Sequence, residues 1–221
     1  MVSRYPEPAV PASQPTQEFR LFITLGIPDA VKETIEAAQA ELRRFLPPKA
    51  ARWARREQFH LTLRFLGNVA ASRVDELVEA CHGACQSFGP LHLCARRIGF
   101  FPNAWEPRVV WVGISDLDDR LPGVWNAVQS ATQPFTSEPP ESRFTGHVTL
   151  ARVNRLSRDQ AVQLAAAAAR FEKIAFGEWT AVELELMRSE LLPEGARHSL
   201  LASFPMLGKE AKSQDLNEGG A

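Results

Sequence analysis

Two of the five histidines in the chain stand in the same setting, His60-Leu61-Thr62-Leu63 and His147-Val148-Thr149-Leu150. An imidazole titrates near neutrality, so two of them can divide one reaction into a proton donor and a proton acceptor, and a Thr hydroxyl can donate to a phosphate oxygen. A lone His on a strand is ordinarily a half-exposed sheet residue with no chemistry. Its repetition, with Thr two positions on and Leu three on, is what turns the pattern toward an active site. Both copies lie in alternating segments that predict strands, where residues two apart share a face. His60 and Thr62 then look one way while Phe59, Leu61, Leu63 and Phe65 look the other. The same parity puts Arg64 beside His60 and Thr62, and Arg152 on the face opposite His147. If the two halves of the chain are a pseudo-duplicate, the two polar pairs converge across a cleft.

The elements that must hold these residues follow from periodicity. Phe19 to Leu25 alternates as a strand, and Pro28 and Asp29 open a helix to about Leu46. The Phe59 to Phe65 strand ends at Gly67, and Ser72 with Asp75 three residues on reads as a capping box for the next helix. Strands are expected at Leu91 to Phe100 and Arg108 to Ile114, joined through Pro102 to Pro107. A helix near Leu121 to Gln133 follows, then a Pro-rich loop and a strand at Gly146 to Val153. The next helix starts at Ser157, with Gln160 as its box partner, and runs to about Phe171. Strands near Trp179 to Ser189 and Arg197 to Phe204 finish the body. Mixed helix and strand order with two hairpin-like pairs favours α+β over a doubly wound sheet, and no Gly-rich phosphate loop supports a Rossmann or P-loop reading. Residues 1–17 and 209–221 read as flexible tails around a single catalytic body at 18–208.

These residues resemble the 2H phosphoesterases, and within them the RNA 2′,3′-cyclic phosphodiesterases once named 2′-5′ RNA ligases. The likeness rests on Arg20-Leu-Phe-Ile, Arg52-Trp53, His60-Leu-Thr-Leu-Arg-Phe-Leu-Gly67, Phe101-Pro102, Pro107-Arg-Val-Val-Trp111, His147-Val-Thr-Leu-Ala-Arg152, and Ser189 with Leu192-Pro193 and Gly195. It implies a bilobal pseudo-two-fold α+β fold, two antiparallel sheets lining a central cleft with helices outside. It also implies metal-independent hydrolysis of RNA or nucleotide 2′,3′-cyclic phosphates to 2′-phosphomonoesters, with no cofactor. By the resemblance His60 is the proton donor, His147 the acceptor, and Thr62 and Thr149 hold the phosphate. Two positions depart from the family pattern: Gly146 stands where a proline usually precedes the second His, and His198 where a Tyr is common. The alternatives are a binding or nucleotide-sensing module of the same fold without turnover, or a 2′-5′ RNA ligase or phosphodiesterase.

Two other clusters each admit a plainer reading. Arg43, Arg44, Lys49, Arg52, Arg55 and Arg56 surround Trp53 with no acidic residue among them. Such a segment can hold an RNA backbone and stack a base, with Arg52, Trp53 and Arg64 as further substrate contacts, or it can be a solvated helix end. Cys81, His82, Cys85, His92 and Cys94 invite a zinc reading. Against it, Val74, Leu77, Val78, Cys81, Cys85 and Phe88 form one apolar helical stripe, which makes the thiols core residues.

Composition bounds what remains. A chain of 221 residues, 45% hydrophobic and 23% charged, can bury a real core and is not disordered as a whole. With 25 basic against 26 acidic residues no global field recruits RNA, so any anion must be captured locally. Three Cys are no disulfide framework and suit a reducing compartment. There is no membrane-spanning run and no signal peptide pattern, so a cytoplasmic protein is expected. RNA ends or cyclic nucleotides are the expected partners, with no membrane or protein partner implied and a monomer the default.

Overall fold

A computed structural model describes residues 17–193 and 195–208. In chain order the elements are β1 (Glu18–Leu25), α1 (Asp29–Arg43), β2 (Ala51–Trp53), β3 (Leu61–Ala70), α2 (Val74–Cys85), β4 (Leu91–Phe101) and β5 (Val109–Asp116). Then come α3 (Leu121–Thr132), β6 (His147–Val153), α4 (Arg158–Ala169), β7 (Ala175–Ala181), β8 (Glu183–Leu192) and β9 (Gly195–Pro205). The strands form two sheets, one ordered β3-β1-β8-β9 and one β2-β6-β5-β4-β7. The strand pairings among the described residues are antiparallel throughout. This is the expected α+β architecture, with one His-x-Thr motif in each sheet.

The helices cross over between the lobes. α1 follows a strand of the first sheet but packs on β7 of the second, and α3 follows a strand of the second but packs on β3 of the first. One buried cluster therefore draws on both sheets, from Leu21, Leu63 and Leu186 to Leu93, Val112 and Leu150. Sharing a core fixes the sheets relative to each other, which a site built from both requires.

Several boundaries differ from the sequence reading. The expected strand at 179–189 is two: β7 pairs with β4 in one sheet, β8 with β1 in the other, and the chain changes sheets at Val182. Continuous β-propensity cannot signal such a jump. The Ser72–Asp75 box does not form, because a 3-10 turn at Ala71–Arg73 delays α2 to Val74. The Ser157–Gln160 box does form at α4. β3 runs past Gly67 to Ala70, and β2 is an unforeseen short edge strand inside the basic segment. The expected flexible tails lie outside the described residues apart from Gln17, whose carbonyl accepts from the Ala71 N–H.

The thiols sit where periodicity puts them. Cys81, Cys85 and Cys94 are buried and unpaired. Burial pushes the Cys81 and Cys85 thiols up to about 12, which leaves them protonated and poor metal ligands at neutral pH. No group of three or more potential metal ligands occurs among the described residues. No helix among them is long and apolar enough to cross a membrane.

Candidate active site

Both motifs bend in the same way. In β3, Thr62 pairs with Thr24 and Arg64 with Ile23, which leaves Leu63 without a partner. In β6, Thr149 pairs with Trp111 and Ala151 with Val110, which leaves Leu150 without one. A bulge places two consecutive residues on one face, so Leu63 with Arg64, and Leu150 with Ala151, are all buried. The next residue in each motif, Phe65 or Arg152, returns to the face of the Thr. The carbonyls that the bulges remove from the ladder are caught by helical glutamines. Gln129 Nε2 of α3 donates to Leu63 O at 3.2 Å, and Gln39 Nε2 of α1 donates to Leu150 O at 3.0 Å.

Each imidazole is then set against an aromatic wall. The His60 ring stacks on Phe22 at 4.9 Å between centroids and meets His198 edge-on at 5.4 Å. The His147 ring meets Phe101 edge-on at 5.0 Å, with Trp111 at 6.3 Å. Trp111 can lie across its neighbour strand because Gly99 is there: a Cβ at that position would stand 2.2 Å from the indole. Each ring is also tied to a backbone two residues upstream, His60 to Gln58 and His147 Nδ1 to the Thr145 carbonyl at 2.8 Å. The second tie fixes Nδ1 of His147 as the protonated nitrogen of the neutral ring and leaves Nε2 for the cleft.

The two sites feel each other. His60 is pushed down to about 4, first by burial and then by the nearby charges of His198, Lys32 and His147. In the unliganded protein it is therefore a neutral base at pH 7. Thr62 and Thr149 are half-buried, and neither hydroxyl has a hydrogen-bond partner among the described residues. The site thus presents two imidazoles and two uncommitted hydroxyls from opposite sheets, which suits an anion with a protonatable leaving group.

The remaining expected contacts divide. Arg64 is not in the cleft. The bulge turns it inward, where it is 1% exposed and donates to the carbonyls of Pro139 and Glu138 and to Gln133 Oε1, pinning the Pro-rich loop. Arg152 moves the other way: the matching bulge brings it onto the face of Thr149, against its expected parity. Arg52 pairs directly with Arg152 across β2 and β6 and shares that face, and both are exposed. Trp53 pairs with Ala151 instead, so its ring is on the opposite face and packs on the core, not beside Arg52. Arg56 is tied to α1 through the Asp29 carbonyl and Glu36, and Arg43 occupies the last turn of α1, as the helix-end reading has it.

The aromatic walls went unread in the sequence, although Phe22 left a trace as an aromatic on the polar side of an alternating strand. Both departures from the family pattern are at the site. A Cβ on Gly146 would stand 2.6 Å from the Ile114 carbonyl, a close approach that excludes any side chain there. His198 touches His60 and Phe22, its own pKa is lowered by burial, and its Nδ1 is buried without a partner.

The LigT like Phosphoesterase family matches residues 25–111, a span that holds His60 and Trp111 and stops short of His147. Proteins named RNA 2′,3′-cyclic phosphodiesterase match across both motifs. That of Thermus thermophilus is 28% identical over 211 residues, covering 90% of this chain and 96% of its own. That of Methanocaldococcus jannaschii is 25% identical over 185 residues, covering 84% and 99%. Among solved structures, TT0787 of Thermus thermophilus has a TM-score of 0.71 at 25% identity, covering 86% of this chain and all (100%) of its own. E. coli LigT complexed with 3′-AMP shares the fold, with a TM-score of 0.68 at 21% identity over 86% of this chain and 99% of its own.

Proposed function

The chain is a LigT-like phosphoesterase, and from that premise we propose that it opens RNA 2′,3′-cyclic phosphates to 2′-phosphomonoesters, with His60 and His147 as the proton-transfer pair. The observation that carries the reading is the repeated motif: two bulged strands, one from each sheet, each presenting an imidazole and an unpartnered Thr hydroxyl.

Water attacks phosphorus and the P–O3′ bond breaks. The water proton passes to His147 Nε2, and the departing O3′ takes a proton from His60. Thr62 and Thr149 donate to the non-bridging oxygens, which gain negative charge in the transition state. His60 is neutral in the empty cleft, so it must take up a proton from solvent as substrate binds. The anionic phosphate is the group that favours its imidazolium, by adding an opposite charge beside it. Arg152 and Arg52 extend the same face toward the rest of an RNA strand. Three buried, unpaired thiols fit a reducing cytoplasm, and the site is complete within one chain, so we read it as a cytoplasmic monomer.

The test is incubation with 2′,3′-cyclic AMP and with a cyclic-phosphate-ended oligonucleotide, in EDTA, followed by product mapping. A 2′-phosphate and a free 3′-hydroxyl are expected at an undiminished rate. Saturable binding with no product would make the protein a binder, and a 3′-phosphate would overturn the assignment of leaving group.

A further inference from the structure

At the end of the second sheet, away from the two imidazoles, the β4–β5 loop and the turn between β6 and α4 enclose a cavity of about 620 Å³. Arg108, Arg155 and Arg158 line it, with Trp105, Leu156 and Glu106. The three guanidinium groups are on exposed residues and have no ion-pair or hydrogen-bond partner among the described residues. Three unpaired cations facing one carboxylate in a shared hollow repel one another, a cost that an anion between them relieves. Trp105 is 73% exposed and lines the same hollow. Its loop is nevertheless fixed, because Asn103 Oδ1 accepts from the Trp105 and Glu106 N–H groups at 2.9 and 3.0 Å. Guanidinium forks hold phosphate, and an indole on a braced loop, lining the hollow with Leu156, offers a base something to stack on. The volume is that of a nucleotide-sized site.

We propose that this cavity binds a nucleotide of the RNA strand several residues upstream of the cyclic end, so that the protein measures an oligonucleotide and not a terminal nucleoside alone. The inference rests on the phosphodiesterase reading and adds a second place of contact to it. Continuity with the cleft favours the RNA strand over a free nucleotide. One wall of the cavity is the loop that leaves Phe101, whose ring lies on His147. The other wall continues from the end of β6: Thr149 and Arg152 in the strand and Arg155 just past it follow at intervals of three residues. Those steps span at most about 20 Å in total, farther than a mononucleotide reaches and within reach of a short oligonucleotide. Midway, Arg152 and Arg52 stand directly opposite each other, a like-charged cross-strand pair that is unfavourable until a phosphate joins it.

The experiment is a length series of 2′,3′-cyclic-phosphate-ended RNAs from one to six nucleotides, with the unaltered protein, Arg155→Ala/Arg158→Ala and Trp105→Ala. KM of the unaltered protein should fall with length. Each variant should raise KM for the hexamer by about tenfold or more and leave the cyclic mononucleotide unaffected. In the double Arg variant the slope of log KM against log salt should lessen by about 0.7 for each RNA phosphate no longer held. Equal effects on hexamer and mononucleotide, or none on either, would overturn the proposal. If AMP binds the cavity and alters turnover of the mononucleotide, the occupant is a free nucleotide and the RNA assignment is wrong. Should the unaltered protein hydrolyse neither substrate, the phosphodiesterase reading fails first. The cavity is then judged by binding of a 3′-phosphate-ended hexamer, which must weaken in both variants for the site to stand.

Discussion

The Gln39 side chain donates to the Leu150 carbonyl at 3.0 Å, and the same amide reaches the Ala54 carbonyl at 2.8 Å. One buried glutamine of α1 thus holds the bulge that follows Thr149 and the chain that leaves β2. Gln129 plays the matching part for Leu63 in the other lobe. The bulges bring Phe65 and Arg152 back to the cleft and turn Arg64 inward, so these two amides help decide which side chains face substrate.

Replacing Gln39 by Leu keeps most of the volume, takes the side-chain donor from the half-buried Ala54 carbonyl, and leaves the Leu150 carbonyl with the Ala54 N–H alone. A loss of about 1 to 3 kcal/mol in unfolding free energy is expected for the one carbonyl stranded. Chemical denaturation measures it, and unchanged stability would show that the bulge does not depend on the amide.

His60→Ala and His147→Ala should each lower kcat by about 10² to 10⁴, because each removes one proton-transfer partner. Circular dichroism should show the fold retained. Thr62→Ala and Thr149→Ala should cost about 1.5 to 3 kcal/mol of transition-state stabilisation, as for one hydrogen bond to a charged group. Activity near that of the unaltered protein in either His variant would remove the paired-imidazole mechanism.

Ligand binding should take up a proton. His60 sits at about 4 in the empty cleft, and an anion beside it raises that value. Calorimetric titration with a nucleoside 2′-phosphate near pH 6, repeated in buffers of different ionisation enthalpy, should show net uptake that disappears in His60→Ala. Buffer-independent heats would mean that His60 stays neutral when the phosphate binds.

The same group makes stability depend on pH with a defined sign. Its value is about 4 folded against 6.5 unfolded, so between those limits the unfolded chain binds more protons. Its contribution is complete above about pH 6.5 and is lost as pH falls toward 4. Denaturation midpoints across that window should fall less steeply in His60→Ala, and an unchanged slope would place the ring in solvent.

A cyclic substrate with sulfur at the bridging 3′ position leaves as a thiolate and needs little protonation. It should restore much of the rate lost in His60→Ala and little of that lost in His147→Ala. Rescue of the His147 variant alone would exchange the donor and acceptor roles.

The sequence by itself determined the chemistry-bearing pair, the α+β class and most of the elements, because these depend on residue type and local period. His60 with Thr62 and His147 with Thr149 share faces for the plain reason that a strand alternates. Capping at Ser157 and the buried thiols of α2 are equally local. The tertiary structure decided whatever depends on pairing between distant strands. Arg64 and Arg152 exchanged their expected faces because one unpaired residue, Leu63 or Leu150, reverses parity beyond it, and that residue is defined only by the partner strand. The 179–189 segment divided at Val182 because its halves join different sheets. Phe22, His198, Phe101 and Trp111 became the walls of the imidazoles through register alone, and no property of those residues in the chain announces which ring they will meet.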